Sequence, residues 1–230
     1  MSHLGNSRHQ PILCYVTDRH ILTRVAPADA LETLLRIICS AAAAGIDWIQ
    51  IREKDLSGRD CASLTREALK RAAAPSALGA NSPRIFVNDR LDVALAERAG
   101  GVHLGEKSLA IQEAKRLADS RGRGGNFLIG VSTHSLGEAR SAARDGADYI
   151  FFGPVFATPS KAFYGPPQGL ERLAEVCRAF SIPVLAIGGI TLENAPSCLS
   201  AGAAGIAAIR LFQDAPDLKS VVQTVRKLAP

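Results

Sequence analysis

The chain has 230 residues, a length that one α/β barrel fills and that does not force a division into two domains. Hydrophobic residues make up 47% and charged residues 21%, which excludes disorder for the bulk of the chain and supplies enough apolar surface for a large core. The net charge of +5 comes from lysines and arginines scattered along a chain with 5% aromatic residues; no basic block appears, which argues against a nucleic-acid surface and suits an enzyme that attracts anionic substrates.

Cys14, Cys39, Cys61, Cys177 and Cys198 are odd in number and form no C-x-x-C pair, so they read as reduced, packed thiols with neither disulfides nor a zinc site. The opening MSHLGNSRHQ lacks the apolar core of a signal peptide, and no run reaches the length of a membrane span. The expectation is a cytoplasmic protein without a membrane partner, with a flexible tail over 1–11 and one catalytic domain over 12–230. Association into a homo-oligomer stays open.

From residue 12 onward, short β-prone runs alternate with Ala- and Leu-rich stretches of helical period, the pattern of repeated βα units around a parallel sheet. Strands are predicted at 12–17, 48–52, 84–88, 101–104, 127–131, 149–153, 183–187 and 205–209. Helices fit at 28–44, 58–74, 90–99, 109–120, 135–145, 168–180, 191–201 and 215–228. Gly45, Gly100, Gly146 and Gly202 each fall where a helix takes a left-handed cap. Eight such units suggest a (β/α)₈ barrel; the rival doubly wound sheet lacks a G-x-G-x-x-G after its first strand.

Barrel enzymes carry their chemistry at the C-terminal ends of the strands. After the second strand, QIREK gives Gln50, Arg52 and Lys54 the same parity, aiming an amide and two cations at the mouth; a salt-bridged lid with Glu53 or Asp55 is the bland alternative. The third strand ends in Asn88 and Asp89, which suit a diphosphate oxygen and a hard cation, or simply a turn or helix cap. The fifth strand leads to Ser132 and His134, the latter either an acid/base group or a neighbour of a helix cap. The loop FATPSKAFYGPPQG after the sixth strand is long enough to suggest function. Gly188 and Gly189 after the seventh strand open backbone N–H groups to a phosphate, or serve only a tight turn, and Arg210 after the eighth adds a charge.

Taken in order, QIREK, VNDR, GVHLG, GVSTHS, FFGPVFATPSK, AIGGI and AAIR, between about Cys14 and Phe212, resemble the thiamine phosphate synthase and thiazole tautomerase family. The resemblance implies a (β/α)₈ barrel that joins hydroxymethylpyrimidine diphosphate to thiazole phosphate by a dissociative route. It implies that Gln50, Arg52, Lys54, Asn88, Ser132 and Lys161 hold the pyrimidine diphosphate and that Thr158 and Ser160 contact the thiazole phosphate. Backbone groups at Gly188, Gly189, Ile209 and Arg210 surround the phosphates, Asp89 binds magnesium, and Arg52, Lys54, Lys161 and His134 are the catalytic candidates. Ser108 stands where the family has a second metal-binding Asp, with Glu106 the only nearby carboxylate, so a weakened magnesium site is expected. The eighth strand also ends in Ile-Arg where the family has an apolar residue and Ser. Two other readings are a tautomerase using His134 and a non-catalytic phosphate-ligand barrel.

Overall fold

Eight parallel strands pair in chain order and close, the eighth against the first. They are β1 (Ile12–Val16), β2 (Trp48–Ile51), β3 (Arg84–Asn88), β4 (Gly101–Leu104), β5 (Leu128–Thr133), β6 (Tyr149–Phe152), β7 (Val184–Ile187) and β8 (Gly205–Ala208). Helices α1 (Ala30–Ala44), α2 (Gly58–Ala73), α3 (Leu91–Ala96), α4 (Ile111–Ser120), α5 (Leu136–Arg144), α6 (Gly169–Ala179), α7 (Ala195–Ser200), α8 (Arg210–Gln213) and α9 (Leu218–Lys227) follow the strands in turn. The computed structural model describes residues 10–22, 26–73, 82–105, 107–158 and 166–228. Together they form a single-domain (β/α)₈ barrel, as the alternating pattern predicts.

The strands read as continuous apolar runs because both faces are covered. Leu13, Tyr15, Ile49, Ile51, Ile85 and Ile150 pack outward with helix residues such as Leu34, Ile38, Leu64, Val176 and Val222. These helix positions recur at the spacing of one helical face; α1, for example, buries Leu34, Leu35, Ile38, Ala41 and Ala42. Inside the barrel, Cys14, Val16, Phe86, Tyr149, Phe151, Leu185 and Ala207 form a separate cluster, with Trp48 against Tyr149 at 4.7 Å between ring centroids. All five cysteines are free.

Several boundaries differ from the expectation. Helices α3 and α7 are shorter, and the predicted 215–228 segment is preceded by the separate four-residue α8. Gly45, Gly146 and Gly202 are left-handed (φ 87°, 93° and 99°), but Gly100 is not. After α3 the left-handed residue is Arg98 (φ 57°), and Gly100 is instead needed for close packing: a Cβ there would lie 2.3 Å from Arg84 Cγ. Pro11, assigned to the tail, is buried, and its carbonyl accepts from Arg226 at 3.2 Å.

Candidate active site

Strand parity and register put Gln50, Asn88, His103 and Ser132 on the inner face at the C-terminal end of the barrel. Val16, Phe151, Ile187 and Ala207 complete the ring on the opposite side. The mouth therefore has a polar half, from β2 to β5, and an apolar half, from β6 round to β1. The Gln50 amide donates to Asn88 Oδ1 at 3.4 Å, and the Asn88 amide donates to Asp89 Oδ2 at 2.8 Å. His103 is the polar group that sequence reasoning missed. It is buried, its Nε2 lies 2.9 Å from Ser132 Oγ, and its Nδ1 lies 3.1 Å from the Tyr149 hydroxyl. Burial pushes its pKa down to about 3, so the imidazole is neutral. The available signal was parity: His103 alternates with Gly101 on β4 as Gln50 does with Trp48 on β2.

The segment after β2 corrects one expectation. The strand stops at Ile51, so Lys54 is not carried on its face but lies exposed in the following turn, while Arg52 is half-buried just past the strand end. Neither cation forms an ion pair among the described residues. The nearby acids turn to the loop after β1: Glu53, its side chain fully buried, pairs with Arg19 at 3.0 Å, and Asp55 pairs with Arg19 and with His20. Thr17 Oγ1 donates to Glu53 at 2.7 Å and accepts from the Arg52 N–H at 2.9 Å, which ties the start of the cationic segment to β1. The salt-bridged lid thus exists, but Arg19 is its cation, leaving Arg52 and Lys54 for another anion.

Asp89 follows β3 with a left-handed backbone (φ 59°), a conformation Asp tolerates better than most residues. Its Oδ1 accepts from Gly105 N at 3.2 Å and from the Ser108 hydroxyl, and Ser108 Oγ also accepts from Gly105 N at 2.7 Å. The position that lacks the second carboxylate therefore meets Asp89 directly. Among the described residues no group of three or more His, Cys, Asp or Glu side chains could hold a metal, and Glu106 lies outside them.

His134 is held by its ring: Nδ1 bonds the Gly153 carbonyl at the end of β6, and its backbone N–H donates to Glu138 at 2.7 Å. In the loop after β6, Thr158 is described, while Ser160 and Lys161 lie outside the described residues. Gly188 and Gly189 are both left-handed (φ 96° and 66°), and side chains there would strike Pro154 and the Phe156–Ala157 backbone. They serve a tight turn and a close approach to the β6 loop, and the turn from Ile190 to Asn194 separates them from α7. The ends of β7 and β8 are adjacent, so this turn lies beside Ile209 and the exposed Arg210.

A family model described as thiamine monophosphate synthase matches residues 14–212. The thiamine-phosphate synthase of Methanocella arvoryzae is 43% identical over 188 residues, covering 82% of this chain and 84% of that protein. That of Roseiflexus castenholzii is 39% identical over 218 residues, covering 95% and 88%. Among solved structures, thiamine phosphate pyrophosphorylase from Pyrococcus furiosus superposes with a TM-score of 0.78 at 33% identity, covering 97% of this chain and 98% of that one. Neither the tautomerase reading nor the ligand-binding barrel gains support from these relatives.

Proposed function

The chain belongs to the thiamine monophosphate synthase family, and from that premise we propose that it joins hydroxymethylpyrimidine diphosphate to thiazole phosphate, giving thiamine phosphate and releasing diphosphate. The observation that carries this reading is a pair of cations without ion-pair partners among the described residues, Arg52 and Lys54, beside a floor that is polar on one half and apolar on the other. Such a site suits a molecule with a diphosphate at one end and a flat ring at the other.

In the reaction the bond between the pyrimidine methylene carbon and the diphosphate oxygen breaks, and its electron pair leaves with diphosphate. The methylene cation is trapped by the lone pair of the thiazole nitrogen, and no net proton transfer is needed. Arg52 and Lys54 stabilise the charge that grows on the leaving group, with Lys161 assigned the same duty by resemblance. Gln50, Asn88 and Ser132 orient the pyrimidine diphosphate, while Thr158 and Ser160, with backbone groups at Gly188, Gly189, Ile209 and Arg210, receive the thiazole phosphate. Asp89 is the one carboxylate assigned to a magnesium ion by resemblance; it would share the ion with substrate oxygens, and the ion, when bound, would neutralise charge on the diphosphate. The test is to supply both substrates with magnesium and look for thiamine phosphate. Rearrangement of the thiazole precursor without coupling would replace this reading by the tautomerase.

Two predictions arise here. His134→Ala is expected to keep coupling within about tenfold of the parent, since loss of a proton shuttle typically costs a factor of about 10² to 10⁴ and the coupling has no such step. A loss in the larger range, measured at saturating substrates in a variant of unchanged fold, would give His134 a chemical role. Ser108→Asp places a second carboxylate against Asp89, so the magnesium concentration for half-maximal coupling is expected to fall, by about tenfold if one charge-assisted ligand contributes about 1.4 kcal/mol. Metal is expected to bind weakly to the parent enzyme alone and well to its complex with diphosphate. If the variant needs as much magnesium as the parent, Asp89 and position 108 do not share a metal.

A further inference from the structure

Beneath the mouth the Tyr149 ring crosses the barrel, packed against Trp48 and Phe86 at centroid distances of 4.7 and 5.2 Å. It lies so close to β5 that a Cβ on Gly130 would sit 2.0 Å from its Cζ. Its hydroxyl is buried and has one hydrogen-bond partner among the described residues, His103 Nδ1. A phenol O–H has one hydrogen to place, and leaving it unplaced when buried is costly. If Nδ1 carried a proton, the Tyr149 oxygen would have to accept it and its own hydrogen would have no acceptor. The arrangement is therefore satisfied in one sense only: Tyr149 donates to Nδ1, the imidazole carries its proton on Nε2, and Nε2–H donates to Ser132 Oγ at 2.9 Å. Ser132 has then received a hydrogen bond from below, and its own O–H is left to donate in another direction.

We propose that Tyr149 and His103 are positioning residues that fix Ser132 as a hydrogen-bond donor to an anionic oxygen of the substrate. The assignment of Ser132 to the diphosphate-bearing substrate rests on the reading above; the direction of the chain rests on the hydroxyl count alone. Tilted packing of His103 against Phe151, with centroids 4.2 Å apart and 36° between the ring planes, restricts rotation of the imidazole. Ser132 thus differs from a freely rotating hydroxyl: one of its two acceptor sites is committed before substrate arrives, which limits the reorientation needed as charge develops on the leaving group.

Nitrogen-15 labelling of the histidines, with two-bond proton–nitrogen correlation spectra, reads the tautomer of each ring. The expected result for His103 is a proton on Nε2 and a bare Nδ1, assigned by loss of its signals in His103→Gln. A proton on Nδ1, or on both nitrogens, overturns the proposal. For function, His103→Leu is expected to lower kcat by about tenfold with a smaller change in KM, as for an interaction strongest in the transition state. His103→Gln, which keeps an N–H that can reach Ser132, is expected to recover most of the loss. In a Ser132→Ala background the Leu and Gln variants are expected to be equal, because the group they act through is gone. Equal loss for Leu and Gln in the parent background overturns the positioning role. An expected tautomer in a protein that does not couple the two substrates would instead count against the proposed reaction, leaving the hydrogen-bond chain standing.

Discussion

Replacing Arg19 with alanine is expected to lower the free energy of unfolding by about 3 kcal/mol, the low end of the range for breaking a buried ion pair from one side. The Glu53 side chain is fully buried and meets three donors: Thr17 Oγ1 at 2.7 Å, the Arg19 N–H at 3.2 Å and the Arg19 guanidinium at 3.0 Å. The substitution removes the charged donor of the three and leaves the two neutral ones, which is why the lower figure applies. It also frees Asp55, whose pKa is held well below the usual carboxylate range by the Arg19 hydrogen bond and then by that of His20; Asp55 is half exposed and adds little. Denaturant unfolding checks the figure. Adding Glu53→Gln to Arg19→Ala removes the stranded charge and is expected to restore part of the stability. A double variant no more stable than Arg19→Ala would show that the loss came from packing. Because Thr17 Oγ1 also holds the Arg52 N–H, the single variant is expected to weaken substrate binding as well.

Strand identity and order were legible because both faces of a barrel strand are buried and each strand is a short apolar run. ILCYV, RIFVN and GVHL stand in the structure where periodicity puts them. Parity was informative for Gln50, which it aimed at the mouth, and it failed where it was carried past the strand end to Lys54; Ser132, expected in the loop after the fifth strand, is instead on β5 itself. A period of two holds only while the backbone is extended, and the chain turns after Ile51. The polar networks were illegible for a different reason. Thr17 and Glu53 are 36 residues apart, and Tyr15 and Gln213, whose side chains bond at 2.7 Å, are 198 apart; both contacts exist because the barrel brings β1 beside β2 and β8. Glu53 looked like a neighbour of two cations, yet side chains adjacent in an extended segment diverge. His103 was passed over within a motif valued for its glycines, although its parity aims it inward. The meeting of Ser108 with Asp89 followed from resemblance and from no local signal, since a loop residue at a spacing of 19 has no required partner.

Arg52→Ala is expected to weaken binding of inorganic diphosphate by about 1.5 to 3 kcal/mol, the range for a hydrogen bond to a charged group, or about 10- to 150-fold. Arg52 is half-buried at the end of β2, its N–H is fixed by Thr17, and it forms no ion pair among the described residues. Its backbone is therefore held and its side chain starts from a partly buried position, two conditions that raise the value of an anion contact above that of a mobile surface cation. Lys54 is exposed in the next turn, so Lys54→Ala is expected to fall at the lower end of the range and to lose more of its effect as salt rises. Calorimetric titration with diphosphate at two ionic strengths separates them. Arg52→Lys is expected to lie between parent and alanine, since it keeps the charge without the guanidinium's planar fork of donors. With unchanged affinity in both alanine variants, the diphosphate would have to sit elsewhere on the barrel, and the reading of the polar half of the mouth as the leaving-group site would fail. If Arg52→Lys binds as tightly as the parent, charge alone is what this position contributes.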